Sequence, residues 1–330
     1  MLSQPSENAL ALNQICKTYA DKPVLSQLNL AVPYGSVYAF LGNNGEGKST
    51  TIRVLTGLEA PDAGSVAICG DSFYTRRRAW LSRSGRFVPD YRLLHRLGGL
   101  IDAPSLYPNL TAAEFLSIGC AIKGLPVSEI DRVLAVVSLT NAAKRLIGQF
   151  SLGMKQRLAI AHTLLGDPKL LILDEPTNGL NPSGIRDIRQ LLSELPASTG
   201  TTVFFSTHNL DEVEKMATRF AVLKNGRIRF ESDIPSWKAA QQFNMTLEVG
   251  DANAAYTELL KHGFYSTITT PNTVRVDKLP RNEQPRLHAL LVGAGIELFQ
   301  SYQNRTSLEQ WFTNEHTDQS ISGPEPTAGN

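Results

Sequence analysis

The sequence predicts an α/β fold, a buried sheet carrying helices, and three stretches support that expectation. Val37-Tyr38-Ala39-Phe40-Leu41 is a short apolar, partly β-branched run of strand length, and Gly42-Asn43-Asn44-Gly45-Glu46-Gly47-Lys48-Ser49-Thr50 follows it directly. Leu170-Leu171-Ile172-Leu173 is a second such run and ends in the acids Asp174 and Glu175. Thr201 to Thr207 is a third and ends in His208. Apolar runs this short that end in polar groups suit parallel strands buried on both faces, with their chemistry gathered at the carboxyl edge of the sheet.

The glycine stretch after the first run fits G-x-x-x-x-G-K-[ST], the pattern of a phosphate-binding loop. Helical apolar spacing follows from Ser49 to Leu58, with Ile52, Leu55 and Leu58 expected on one buried side. A strand, a glycine loop and a helix in that order aim backbone N–H groups and the positive end of a helix dipole at one point. Gly42 and Gly47 allow the tight turn and close approach, with Asn43, Asn44 and Gly45 between them in the binding loop, and Lys48 is expected to reach the β- and γ-phosphates. The Ser49 hydroxyl is expected to join the Mg²⁺ shell, and Thr50 to donate to a further phosphate oxygen.

Composition sets wide bounds. The chain has 330 residues, 42% of them apolar, enough for one large domain and a smaller one with real cores. Lys and Arg number 32 against 31 Asp and Glu, so no overall field draws in nucleic acid or an anionic membrane. Cys16, Cys69 and Cys120 are scattered without metal-ligand or disulfide-framework spacing, which suits reduced thiols in a cytosolic protein. Met1 to Leu10 lacks the basic-then-apolar order of a signal peptide, and no apolar run approaches a membrane span. Work at a membrane would therefore need a partner there.

From the N-terminus, strands are expected near Leu12–Ile15 and Gln27–Val32, split by the turn Ala20-Asp21-Lys22-Pro23. Tyr19, just before that turn, offers either a face for stacking a nucleobase or a half-buried strand end. The turn-rich Gly57 to Gly64 leads to a strand at Ser65–Cys69. Arg76, Arg77, Arg78, Arg83 and Arg86 form a basic patch among Trp80, Phe87 and Tyr91; a solvated helix face is expected, with contact to nucleic acid or lipid headgroups as the alternative. An apolar strand bracketed by Gly98, Gly99 and Pro104 comes next, then a helix start with Thr111 as N-cap and Glu114 in capping-box position. Helices continue to about Leu146, broken near Gly124-Leu125-Pro126.

Ser151 and Gly153 stand at the start of a helix running to Leu165, where free N–H groups and a hydroxyl suit an anion. Asp174 is placed to bind Mg²⁺, and Glu175 to take a proton from an attacking water. Asn178 to Gly184 is a tight loop before a helix through Leu192, and His208 ends the last buried run within reach of a terminal phosphate. A helix at Leu210–Ala217 and strands Phe220–Leu223 and Arg227–Glu231, joined by Asn225-Gly226, close this part of the chain.

Over residues 11 to 235 this ordered set resembles the ATP-binding subunits of ABC transporters. Tyr19 matches the adenine-stacking aromatic, Gly42 to Thr50 the Walker A loop, and Ser151 to Arg157 the signature sequence. Leu170 to Glu175 matches Walker B with its catalytic glutamate, Asn178 to Pro182 the D-loop, and His208 the switch histidine. The resemblance implies a P-loop NTPase of ABC type, with a mixed sheet core, an antiparallel β subdomain and a helical subdomain at about 100–165. It implies ATP and Mg²⁺, and a head-to-tail dimer that sandwiches two ATPs, each between Lys48 and its neighbours on one subunit and Ser151 and Gly153 on the other. Lys48, Glu175 and His208 are the catalytic residues it points to, and a separate membrane permease is the partner. Ser-Leu-Gly-Met-Lys-Gln-Arg at 151–157 and Ile-Asp-Ala-Pro-Ser-Leu-Tyr-Pro-Asn-Leu-Thr at 101–111 look like the bacitracin- and lantibiotic-type exporters of the ABC-2 group.

Three positions depart from the family pattern. Asp102 stands at the Q-loop glutamine, which implies a carboxylate in the link between metal, water and permease. Met154 takes the place of the signature glutamine, and Asn181 that of the D-loop aspartate, which removes a charge at the dimer seam.

From Met245 shorter elements alternate in the order β-α-β-β-α-β, so a small ferredoxin-like α+β accessory domain is expected over 236–316 after an ATP-binding domain over 1–235. Thr306 to Phe312 reads as a short closing helix and 317–330 as a disordered tail. The expected protein is an exporter motor on the cytoplasmic face of the membrane, as a homodimer or paired with a homologous subunit, with no nucleic acid. Two other readings stay open: a hydrolysis-poor member of a heterodimer, and an ABC-type ATPase acting on ribosomes or DNA. The chain carries one motif set and no long heptad insertion, which weighs against the last.

Overall fold

The computed structural model describes residues 7–77, 86–101, 105–240, 243–277 and 279–305. Asp102, Arg78, Trp80, Arg83, the helix expected over 306–312 and the tail 317–330 lie outside them. The chain divides into two compact units, Met1–Ile234 and Pro235–Asn330, each with its own hydrophobic core.

The first unit opens with an antiparallel ribbon, β1 (Asn8–Tyr19) and β2 (Lys22–Pro33), turning through Ala20 and Asp21, both at positive φ. A two-residue loop with both φ positive matches the twist of the strands it joins. These strands run well beyond the stretches expected from sequence. Gln14 and Gln27 take left-handed backbone at irregularities in the ladder, and each breaks the apolar alternation without ending its strand.

β3 (Val37–Leu41) is buried along its whole length and runs into the glycine loop and α1 (Lys48–Leu55). The helix stops one turn short of expectation: Thr56 caps it and Gly57, at φ +75°, turns the chain away. Leu58 is thus 65% exposed rather than on the buried side with Ile52 and Leu55. β4 (Ala63–Ile68) joins β1, β5 (Asp71–Ser72) follows it, and the sheet order is β2-β1-β4-β5.

The arginine-rich segment corrects another expectation. β6 (Tyr74–Arg77) and β7 (Arg86–Pro89) pair antiparallel, so Arg76, Arg77 and Arg86 sit on strands and not on a helix. Phe73 and Tyr74 anchor the pair in the core, the Tyr74 hydroxyl donating to the Val54 and Glu59 carbonyls. A 3-10 turn over Tyr91–Arg96, capped by Asp90, leads to β8 (Leu97–Leu100).

The helical block contains α2 (Ala112–Lys123), α3 (Ser128–Val136) and α4 (Leu152–Thr163). Thr111 and Glu114 form the expected capping box, and Gly124 at φ +64° ends α2. After it come β9 (Leu170–Asp174), α5 (Pro182–Thr199), β10 (Thr202–Thr207), α6 (Leu210–Met216), β11 (Arg219–Lys224) and β12 (Arg227–Asp233). The main sheet has the order β12-β11-β3-β10-β9-β8, parallel except for the edge strand β12. Phe204 of β10 packs against Tyr38 and Phe40 of β3 and fixes the register of these central strands. Since β10 lies between β3 and β9, the glycine loop, the Asp174-Glu175 turn and His208 leave the sheet side by side at one edge.

In the second unit, α7 (Ile234–Ala240) begins at the boundary residue and is followed by β13 (Phe243–Val249), α8 (Ala252–Lys261), β14 (Ser266–Thr270), β15 (Thr273–Val276), α9 (Gln284–Gly293) and β16 (Leu298–Arg305). The sheet is antiparallel in the order β14-β15-β13-β16, the arrangement of a split β-α-β unit. Leu247 and Val274 of the sheet meet Leu259 of α8 and Leu287 of α9 in its core. Among the described residues, no helix is long and apolar enough to cross a membrane.

Candidate active site

The glycine loop wraps around a lysine. Lys48, only 5% exposed, donates from Nζ to the carbonyl oxygens of Gly42 at 2.7 Å and Asn43 at 3.3 Å. Gly45 and Gly47 sit at φ +87° and +108°. A Cβ on Gly47 would come within 2.8 Å of Leu25 Cδ2, and one on Gly42 within 2.9 Å of the Leu223 carbonyl oxygen. Glycine is therefore required at both places. The Glu46 carboxylate accepts from the Asn225 N–H and ties the loop to the β11–β12 turn. The loop opens on a cavity of about 160 Å³ whose lining includes Asn43, Asn44, Lys48, Ser49, Thr50 and Glu175.

Glu175 closes that cavity from β9. Its Oε1 is 3.5 Å from Lys48 Nζ and its Oε2 is 3.1 Å from His208 Nδ1. The Glu175 N–H donates at 3.0 Å to Ser206 Oγ, and Ser206 donates in turn to the Asp174 carboxylate. Three adjacent strands thus hold a cation, a carboxylate and an imidazole at one point. Ser49 and Asp174 offer oxygen donors, the ligand type Mg²⁺ takes, and it is commonly held by one or two protein groups plus substrate phosphates. Among the described residues no cluster of three or more His, Cys, Asp or Glu competes with that arrangement.

Tyr19, at the end of β1, is 39% exposed. Its hydroxyl donates to the Glu59 carboxylate. Burial and the neighbouring Glu59 carboxylate push the phenol pKa up.

The structure does not bring every candidate together. Ser151 caps α4, its Oγ accepting from Met154 N–H at 3.2 Å, and Gly153 lies against Gly184 of α5. Both line a separate cavity with Met154, Arg157 and Asn181. Asn181 serves as N-cap of α5, accepting from Gly184 N–H at 2.8 Å. Asp102 lies outside the described residues, so no contact of it is stated.

Three contributors escaped the sequence reading. Ser206 joins Asp174 to the Glu175 backbone. Gln156 donates from Nε2 to the Pro176 carbonyl at 2.8 Å, linking the signature helix to the loop that carries Glu175. Glu212 is buried and bonded to Thr177 and Thr207. Glu212 follows Asp211 in the first turn of α6, where acids ordinarily complement the helix dipole at the surface, so only its burial separates it from its neighbour.

Comparison with known proteins agrees with this geometry. Residues 25–178 match the family model described as ABC transporter. The bacitracin transport ATP-binding protein BcrA of Bacillus licheniformis is 35% identical over 301 residues, covering 90% of this chain and 94% of the relative. The lantibiotic transport ATP-binding protein SrtF of Streptococcus pyogenes is 39% identical over 224 residues, covering 68% and 90%. Among solved structures, cbiO1 from Clostridium perfringens, part of the ABC transporter complex cbiONQ, superposes with TM-score 0.62 at 29% identity, covering 71% of this chain and 92% of its own. A dimeric ATP-binding cassette in a post-hydrolysis state bound to ADP and Pi does so with TM-score 0.56 at 26% identity, covering 68% and 98%. A glycine loop, an acid pair and a histidine on three adjacent parallel strands, with a relative 35% identical over 90% of the chain, place it in a known group: the chain belongs to the ABC transporter family, as one of its ATP-binding, ATP-hydrolysing proteins.

Proposed function

We propose that this chain is the motor subunit of an exporter, working as a dimer with a separate ABC-2-type membrane permease from the cytoplasmic side, with peptide antibiotics or drugs as cargo. The observation that carries this reading is the placement of Glu175 between Lys48 and His208 at the mouth of the glycine loop. Water attacks the terminal phosphorus in line as the bond to the β-phosphate oxygen breaks and ADP leaves; Glu175 takes the proton of the water, and Lys48 and His208 stabilise charge on the phosphoryl oxygens. Ser49 and Asp174 would hold Mg²⁺, which would supply charge neutralisation of the phosphates when bound. The separate cavity at Ser151 and Gly153 suits the dimer reading, in which that surface covers the ATP of a second subunit.

A membrane partner is supported by an apolar stripe on α2. Phe115, Ile118 and Ile122 share one helix face, Ile118 and Ile122 are exposed, and Tyr107 stands exposed beside Phe115. The names of the bacitracin and lantibiotic transport relatives support the cargo class. We assign the second unit, Pro235–Asn330, to regulation or dimer bracing on the strength of its own compact core. Deletion from residue 237 that left both ATPase and transport unchanged would sink that role. A hydrolysis-poor subunit paired with an active homologue is the second reading, and it rests on the neutral Asn181 at the D-loop position.

The test is affinity purification of a tagged Glu175→Gln variant from gently solubilised native cells in Mg·ATP, with mass spectrometry of what is retained. A multi-span membrane protein without its own ATP site is the expected companion. Recovery of ribosomes or DNA-bound proteins in its place overturns the exporter reading.

A further inference from the structure

Glu212 is 3% exposed, sits in the first turn of α6 and does not line the cavity of the glycine loop. Both of its oxygens are in use. Thr177 Oγ1 donates to one, and Thr207 Oγ1 donates to the other at 2.7 Å. The Thr207 hydroxyl in turn accepts from the Asn209 N–H at 3.0 Å. Thr177 and Thr207 are themselves buried.

These threonines stand at particular places in the chain. Thr177 is two residues past Glu175, and Thr207 is one residue before His208, whose Nδ1 lies 3.1 Å from Glu175 Oε2. A closed circuit results, from Glu175 through Thr177, the Glu212 carboxylate and Thr207 to His208, and back across the imidazole–carboxylate contact. The Glu212 side of the circuit is buried and short; at Glu175 the other side opens on the cavity. A buried carboxylate is tolerated where hydrogen bonds satisfy it, and an apolar side chain would fill the same space with less desolvation. Filling space therefore does not explain a carboxylate here, whereas joining two loops does.

We infer that Glu212 is a positioning residue for ATP hydrolysis: its carboxylate clasps the Thr177 and Thr207 hydroxyls and sets the separation of Glu175 and His208. This rests on the assignment of Glu175 and His208 made above. The clasp acts on the reacting end of the site and not on the glycine loop, so it bears on turnover and spares ATP binding.

The experiment uses the full chain with Glu212→Ala and Glu212→Gln, each alone and combined with His208→Ala, and Glu175→Gln as reference. Turnover is read as phosphate release and ATP affinity by equilibrium titration. Glu212→Ala is expected to lower turnover tenfold or more while the ATP Kd stays within threefold, with Glu212→Gln between it and the parent. In the His208→Ala background the same substitution should change turnover by less than twofold, since residues of one network are not additive. Should Glu212→Ala fail to fold, Thr177→Val and Thr207→Val each remove one arm of the clasp and are expected to show the same division between turnover and affinity. Unchanged turnover in the folded variants, or an undiminished effect in the His208→Ala background, overturns the inference. Normal turnover of Glu175→Gln brings down the catalytic assignment itself, a result distinct from normal turnover of Glu212→Ala beside an inactive Glu175→Gln.

Discussion

Oε2 of Glu175 lies 3.1 Å from Nδ1 of His208, although the two residues leave the sheet from different strands. The contact depends on an uncommon backbone. Glu175 sits at φ +43°, a left-handed conformation that non-glycine residues rarely adopt. Its N–H bond to Ser206 holds the chain there, so the carboxylate turns out of the strand line toward the glycine loop. Strain stored at such a point is repaid where it aims a side chain.

Glu175→Gln keeps the shape and most of the hydrogen bonding but cannot accept a proton from water. ATP binding should survive, while turnover drops by about 10²- to 10⁴-fold, the usual worth of a positioned base. Phosphate release measured beside nucleotide titration checks this. Near-normal turnover would remove Glu175 from the mechanism.

Lys48→Ala addresses binding. The ammonium is 5% exposed and held at 2.7 Å by the Gly42 carbonyl, already placed among the loop amides. A charge-assisted hydrogen bond contributes about 1.5–3 kcal/mol, so ATP affinity should weaken by roughly 10- to 150-fold. Titration with a fluorescent ATP analogue reads the change directly. An unaltered Kd would show that Lys48 does not contact phosphate.

Two glycines of the loop should respond differently to alanine. Gly47 is at φ +108°, and a Cβ there would meet Leu25 Cδ2 at 2.8 Å and the Val24 carbonyl oxygen at 3.2 Å. Gly45 is at φ +87° and a Cβ there meets nothing within 4 Å. Both substitutions strain the backbone, at about 1–3 kcal/mol each, but only Gly47→Ala adds the collision with β2. Thermal melts should therefore show the larger loss for Gly47→Ala. Equal melting temperatures would mean that the loop relaxes away from Leu25.

What could be read from the sequence follows from how local each cause is. β3, β9 and β10 are legible because a strand buried on both faces must be apolar throughout, and their polar ends stand out against that run. The glycine loop is legible because it is a local solution to one backbone problem. β1 and β2 are only half legible, since left-handed Gln14 and Gln27 interrupt the alternation inside continuous strands. The arginine-rich segment reads as a helix face because its pairing, Tyr74 with Pro89 and Arg77 with Arg86, spans residues that local periodicity does not connect. Glu212 is invisible for a similar reason: its two partners lie 35 and 5 residues away, and neither spacing is a motif.

A last prediction concerns acid. His162 lies in α4, with its ring centroid 5.1 Å from that of Phe115 and Nε2 2.8 Å from where a Cβ on Gly119 would stand. Burial pushes its pKa below the ordinary 6.5, and the nearby Lys123 ammonium acts in the same direction. Above about pH 6.5 the imidazole is neutral in both the folded and the unfolded chain, and it contributes no pH dependence. Below that value the unfolded chain takes up a proton that the folded chain resists, so the unfolded state binds more protons and stability falls with falling pH. The loss continues until the folded pKa is passed, where both states are protonated and the dependence levels off. His162→Leu keeps an apolar contact with Phe115 and removes the titrating group. Melting temperatures from pH 7.5 to 5.5 should therefore decline less steeply for the variant than for the parent, with the difference opening below about pH 6.5. Carboxylates ionise mostly below this window, so they do not imitate the effect. Parallel curves for the two proteins would show that His162 takes up its proton in the folded state as readily as in the unfolded chain.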